Sequence, residues 1–281
     1  MRLICPWQDR NRRFSWLKAI AFAFMVGPAL WLLYSTAAGE FGITPLGELT
    51  FWSGIWSMAI LLLALAITPG ATVFRWSRLI IVRRMIGVTA LVYTLAHIVI
   101  YFALRLWDFT VIGKEMATSV SLLAATVSTI GLVALGATSL DVAIQRMGAK
   151  NWNGLHNMIY IITGLALVHF LVVPESYAEQ YIACGMFFWL MVWRLLNRHG
   201  HGTDARVLAM LAVVACFFTA ALEAGWGWAY YGYEPLGTLG ANFSLILGVS
   251  PAWQIFILGL LTTLATIWQA FRTPPKVCLR H

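Results

Sequence analysis

At 281 residues, 60% hydrophobic and only 11% charged, with a mean hydropathy of +0.79, the chain carries more apolar side chain than one water-soluble core can hide. This composition excludes a soluble globular enzyme and points to an integral membrane protein. The net charge of +8 invites a polyanionic partner, but the basic residues cluster in a way that reports topology, so no nucleic-acid partner is expected.

Apolar runs approaching the roughly 20 residues that cross a bilayer at about 1.5 Å per residue recur along the chain. In lipid each run must satisfy its own backbone, so each is expected to be a helix. Eight spans are expected, at about 18–36, 52–69, 84–104, 118–138, 154–173, 180–196, 206–223 and 251–270. The fold class is therefore all-α, a polytopic helical bundle. The first apolar run follows a basic segment but shows no small-residue cleavage site, and is expected to stay as an anchor. Between the last two spans lies "EAGWGWAYYGYEPLGTLGANFSLILGVS", whose Gly, Pro and aromatic content is expected to break helix and form a loop, with 243–249 dipping into the membrane interface.

With the N-terminus placed in the cytoplasm, the inner segments hold Arg2, Arg10, Arg12, Arg13, Lys18, Arg75, Arg78, Arg83, Arg84, Arg146, Lys150, Arg194, Arg198, Arg206, Arg272, Lys276 and Arg280. That is 17 of the 19 Lys and Arg, leaving Arg105 and Lys114 outside. The C-terminus is then expected to be cytoplasmic too. Most acidic residues fall outside: Glu40, Glu48, Asp108, Glu115, Glu175, Glu179, Glu223 and Glu234. Cys5, Cys184, Cys216 and Cys278 form no CxxC pair, so neither a disulfide nor an iron–sulfur cluster is expected.

His199, His201 and His281 belong to inner loop or tail, where solvation is the default. His97, His156 and His169 lie within or at the ends of spans, where ionisable side chains are rare and mark function. A neutral imidazole bonded between helices is the ordinary alternative for any one of them. A proton relay would need carboxylates in the same spans, and there are none. Imidazole is also an axial ligand of haem iron, and two on different helices at one depth would clamp a planar haem. Spans three and five both run outward, which puts His97 and His169 at similar depth in the outer half. His156 lies roughly 20 Å deeper toward the inner surface. Fourteen residues before His97, on nearly the same helical face, stands Arg83. Its guanidinium suits a haem propionate or a flavin phosphate, or else serves with Arg84 as a positive-inside charge. Thirteen residues turn a straight helix by about 140° net, so His156 and His169 share a face only if the helix bends near Gly164 or tilts strongly.

The ordered set "RRMIG", His97, "TS", "W..LH..IY" and His169, together with "SGIWSMAILLLALAITP", resembles the ferric reductase-like transmembrane family, and in particular the haem-binding subunits of bacterial methionine-sulfoxide reductase systems. The likeness covers about residues 42 to 196. It implies a six-helix haem b core carrying electrons outward, with one or two haems. A cytoplasmic flavin reductase or the quinone pool would be the donor, and a periplasmic molybdoenzyme that repairs oxidised methionine the acceptor. By position it assigns His97 and His169 to the outer haem and His156 to an inner site. Arg83 then stands where wider relatives carry a fourth histidine. FMN is associated with the subfamily, though no motif places it here. The resemblance divides the chain into a haem-binding domain at 1–200 and a two-helix extension at 201–281. In the extension, Trp226, Trp228, Tyr230, Tyr231 and Tyr233 would form an aromatic belt or a docking loop.

No GxGxxG follows a strand and no phosphate loop occurs, so hydride chemistry is expected on a separate partner. Two imidazoles on one iron favour outer-sphere transfer, with Tyr93, Trp152 and Tyr160 either along the route or simply packing. Two rivals remain. One is a ferric or cupric reductase at the outer face, which acidic outer loops do not favour for an anionic chelate. The other is a non-redox transporter or receptor, which would show broken helices or inverted repeats.

Overall fold

The computed structural model describes residues 6–8, 13–172, 178–246 and 248–272. Arg2, Cys5, Arg10, Arg12, Glu175, Lys276, Cys278, Arg280 and His281 lie outside the described residues. Those described are almost entirely helical: α1 Trp16–Ala37, α2 Pro45–Val73, α3 Ile80–Leu104, α4 Phe109–Thr118, α5 Val120–Ala137, α6 Asp141–Met147, α7 Ala149–His156, α8 Ile159–Leu171, α9 Ala178–Arg198, α10 Ala205–Tyr231, α11 Pro235–Phe243 and α12 Pro251–Arg272. The all-α, multi-pass class stands. The chain forms two compact units, residues 1–64 with 80–175 and residues 65–79 with 176–281.

Among the described residues seven helices are long and apolar enough to cross a membrane, one fewer than the eight spans expected. The eighth segment does fold as a helix, α9, but Gln180, Tyr181, Trp189, Trp193 and Arg194 dilute its apolarity. Much of α9 is buried against α10 and α12, so its composition answers to protein neighbours as well as to lipid.

In the first unit α5 packs along α8, and α3 packs on α1 and α5. Gly131 admits the approach of α5 to α8, since a β-carbon there would come within 2.6 Å of Ile162 Cδ1. Small residues let backbones close, and short polar side chains then bridge them. Ser128 Oγ donates to Ile162 O at 3.0 Å, and Tyr93 Oη donates to Met25 O at 2.7 Å, tying α3 to α1. Arg84 pairs with Asp141 at 2.6 Å, but both side chains are largely exposed, and such pairs contribute at most about 1 kcal/mol.

The expected span at 154–173 is two helices, with the break at Asn157–Met158 instead of near Gly164, which lies inside continuous α8. The break follows the cap geometry, in which Asn157 N bonds Asn153 O and Met158 N bonds Leu155 O, the latter an i to i−3 closure that tightens the last turn of α7.

In the second unit α10 lies along α12, with α9 against both. The loop expected from residue 223 is largely helical: α10 continues to Tyr231 and α11 follows within four residues. Two glycines cost only about 1 kcal/mol each inside a helix already nucleated by its apolar stretch. Trp226 stacks on Tyr230 one turn later, with ring centroids 4.5 Å apart. The stop comes at Gly232, left-handed at φ 69°, where Gly232 N bonds Trp228 O and Tyr233 N bonds Gly227 O. Glu234 then caps α11, with Pro235 as its first residue. Four of the five aromatic residues expected in a loop therefore sit on the last turns of a helix. Cys184 and Cys216 are buried thiols.

Candidate functional site

Within the first unit, α2 and α5 begin where α3 and α8 end. Thr50, Ser53 and Gly54 occupy the first turns of α2, and Ser121 is the second residue of α5. His97 lies in the last turns of α3 and His169 in the last turn of α8. Alternating helix direction thus brings the two histidines and these small residues to one end of the bundle.

The His97 ring is held by a single turn of α2. Its Nδ1 lies 3.0 Å from Thr50 O and 3.1 Å from Ser53 Oγ, while Ser53 Oγ donates its own proton to Thr50 O at 2.9 Å. A carbonyl oxygen only accepts, so Nδ1 must be the protonated nitrogen. Gly54 lies under the ring: a β-carbon there would come within 3.1 Å of His97 Cε1. His169 Nδ1 lies 3.0 Å from Ser121 Oγ, and that hydroxyl reaches His169 O at 3.3 Å. With its proton aimed at the carbonyl, the hydroxyl receives Nδ1–H on a lone pair. The same tautomer results on both rings, leaving each Nε2 a bare donor with no hydrogen-bond partner among the described residues. The imidazoles are near enough for a charge on one to act on the other.

What such a pair can bind is limited by what surrounds it. Among the described residues no group of three or more His, Cys, Asp or Glu is placed to hold a metal ion. A structural or catalytic zinc takes three or four protein ligands, so two imidazoles alone do not make one. They suit a metal whose remaining positions come from a cofactor.

His156 and Arg83 lie at the opposite end. His156 closes α7, its Nε2 3.3 Å from Thr138 Oγ1, and that hydroxyl donates to Ala134 O at 2.8 Å. Here Nε2 carries the proton and Nδ1 is bare, the reverse of the other two. Trp152 stacks on the ring with centroids 4.0 Å apart and donates from Nε1 to Thr138 O at 2.9 Å. The charge of Arg83 acts on His156, while neighbouring Arg84 is occupied by Asp141. The structure therefore groups the four sequence-derived residues as two pairs. It adds Thr50 and Ser121, and it gives a role to Ser53, Gly54 and Thr138, which stand in the quoted motifs without one. Hydroxyls one turn apart in an apolar helix, as at Thr50 and Ser53, were the available signal.

The model for "Ferric reductase like transmembrane component" matches residues 53–167, from the helix that holds His97 to two residues short of His169. The protein-methionine-sulfoxide reductase heme-binding subunit MsrQ of Polaromonas naphthalenivorans is 30% identical over 203 residues, covering 69% of this chain and 91% of that protein. The chain belongs to the ferric reductase-like transmembrane family. MsrQ of Caulobacter vibrioides is 31% identical over 170 residues, 60% of this chain and 81% of its own, and MsrQ of Azospira oryzae is 29% identical over 195 residues, 68% and 84%. No solved structure matches significantly. Within this family member the matched segment holds His97, His156 and Arg83, and α9 to α12 lie beyond it.

Proposed function

We propose that this chain is a haem-binding, transmembrane electron-transfer subunit serving methionine-sulfoxide reduction. The observation that carries the reading is the pair His97 and His169, from two helices at one end of the bundle, each with Nδ1 held and Nε2 bare. Haem b fits that donor set, because a porphyrin supplies four equatorial nitrogens and asks the protein only for axial ones. When bound, it supplies a one-electron iron centre. The residues do the rest. His97 and His169 would hold the iron through Nε2, and Thr50, Ser53 and Ser121 keep their rings in the required tautomer. Two axial imidazoles leave a substrate no place on the metal, so bond-making chemistry belongs to a partner.

The clustering of Lys and Arg supports cytoplasmic termini and an inner-membrane location, with His97 and His169 toward the periplasm. In this orientation a cytoplasmic flavin reductase or a quinol is the donor and a periplasmic methionine-sulfoxide reductase the acceptor. At the inner end Arg83 has no ion pair among the described residues, and we assign it to a propionate of a second haem or to an FMN phosphate, with His156 Nδ1 the available ligand. Residues 1–200 are the haem-binding portion, and 201–281 an extension.

The visible spectrum of protein purified from haem-sufficient cells tests the reading. A low-spin b-type spectrum is expected, and His156→Ala keeps the part of it that comes from the His97–His169 pair, because that ring has no part in holding either. Colourless wild-type protein overturns the proposal.

A further inference from the structure

Pro69 lies inside α2, which runs as one helix from Pro45 to Val73. A proline has no backbone N–H, so in a helix interior it deprives the carbonyl four residues earlier of its ordinary bond. Here that carbonyl is Leu65 O. Leu65 is 3% exposed and stands in an apolar span, where a stranded backbone acceptor is costly.

A donor arrives from another helix. Arg194, near the end of α9, places Nη2 2.6 Å from Leu65 O, 129 positions away in the chain, while its Nη1 donates to Leu190 O of its own helix at 2.8 Å. The planar guanidinium presents its donors in a fixed fork, which suits it to two carbonyls at once. The chain beyond Pro69 is held in the same manner, with Gln269 Nε2 of α12 donating to Phe74 O at 3.2 Å. Both bonds lie within the second unit, whose share of this region begins at Leu65.

We infer that Arg194 is the surrogate donor for the N–H that Pro69 lacks, so that the two residues act together as a clasp between α2 and α9. A cation kept only for sidedness stays in solvent, as exposed Arg198 does one turn later, whereas Arg194 is half-buried and commits its guanidinium to backbone carbonyls. The clasp does not depend on what His97 and His169 bind.

A double-mutant cycle on the full chain in detergent, read as the thermal midpoint, tests the coupling. Arg194→Met, which keeps much of the alkyl length, is expected to lower the midpoint by about 5 °C, because the buried Leu65 carbonyl loses its donor. Pro69→Ala alone is expected to fold. In the Pro69→Ala background the Arg194→Met loss falls to less than half, since position 69 then carries an N–H that bonds Leu65 O within the helix. A loss of half or more there, the result expected of a residue acting only as a charge, overturns the inference, and so does an unchanged midpoint in Arg194→Met alone. If Arg194→Met yields no folded protein, recovery of the fold on adding Pro69→Ala supports the clasp, and failure to recover overturns it. Failure of Pro69→Ala itself to fold also overturns it, because a helix that regains its own bond has no need of Arg194.

Discussion

Replacing His97 or His169 with Ala is expected to lower the low-spin signal of the haem held by that pair by more than about tenfold, because each removes a donor directly when even outer partners account for 10- to 100-fold. Both substitutions are expected to act alike although they lie on different helices, α3 and α8, since on the proposed reading one metal is held by both. Addition of free imidazole, which can enter the space left by the side chain, restores part of the signal. His199→Ala, in the connection between α9 and α10, leaves the spectrum unchanged and controls for handling. Retention of the full low-spin spectrum by both variants would remove the basis of the proposed function.

Gly259→Val is expected to destabilise the second unit by about 3 kcal/mol, at the upper end of what overpacking a tight interface costs. A β-carbon at 259 would lie 2.5 Å from Ala212 Cβ, 2.9 Å from Ala212 Cα and 3.3 Å from Trp189 Nε1. The second of these is backbone and cannot rotate away, so α10 and α12 must separate along a buried seam that includes Leu208, Ala212 and Ile255. Gly225→Ala is the comparison, because a β-carbon there meets nothing within 4 Å. Thermal denaturation in detergent should show a midpoint several degrees lower for Gly259→Val and none for Gly225→Ala. Equal midpoints would mean that the α10–α12 contact yields without cost.

The contrast between those two glycines shows what a linear reading can reach. Gly259 sits in a plainly apolar span and Gly225 in a stretch whose composition argues for a loop, yet both are helical, and the difference in packing is made by Ala212 arriving from another helix. The same holds for α10 beyond Glu223. Its Gly and aromatic content argues for a loop, yet the Trp226–Tyr230 stack and the Gly232 cap carry the helix on to Tyr231. Gly164, one place where a bend could bring His156 and His169 to a common face, lies inside continuous α8. A glycine permits a break, whereas the cap bonds of Asn157 and Met158 make one.

By itself the sequence determined the membrane class, the positions of most helices and the common end at which His97 and His169 lie, while its Lys and Arg supply an expectation of sidedness. These depend on the free energy of single residues in lipid or water, which is additive along a chain. Only the tertiary structure decided which nitrogen of each imidazole is bare, that Thr50 and Ser53 hold one ring while Ser121 holds the other, and that His156 stands apart with Thr138 and Trp152. The hydrogen bonds that fix the three rings join residues 18 to 48 positions apart, and their partners are set by how helices pack.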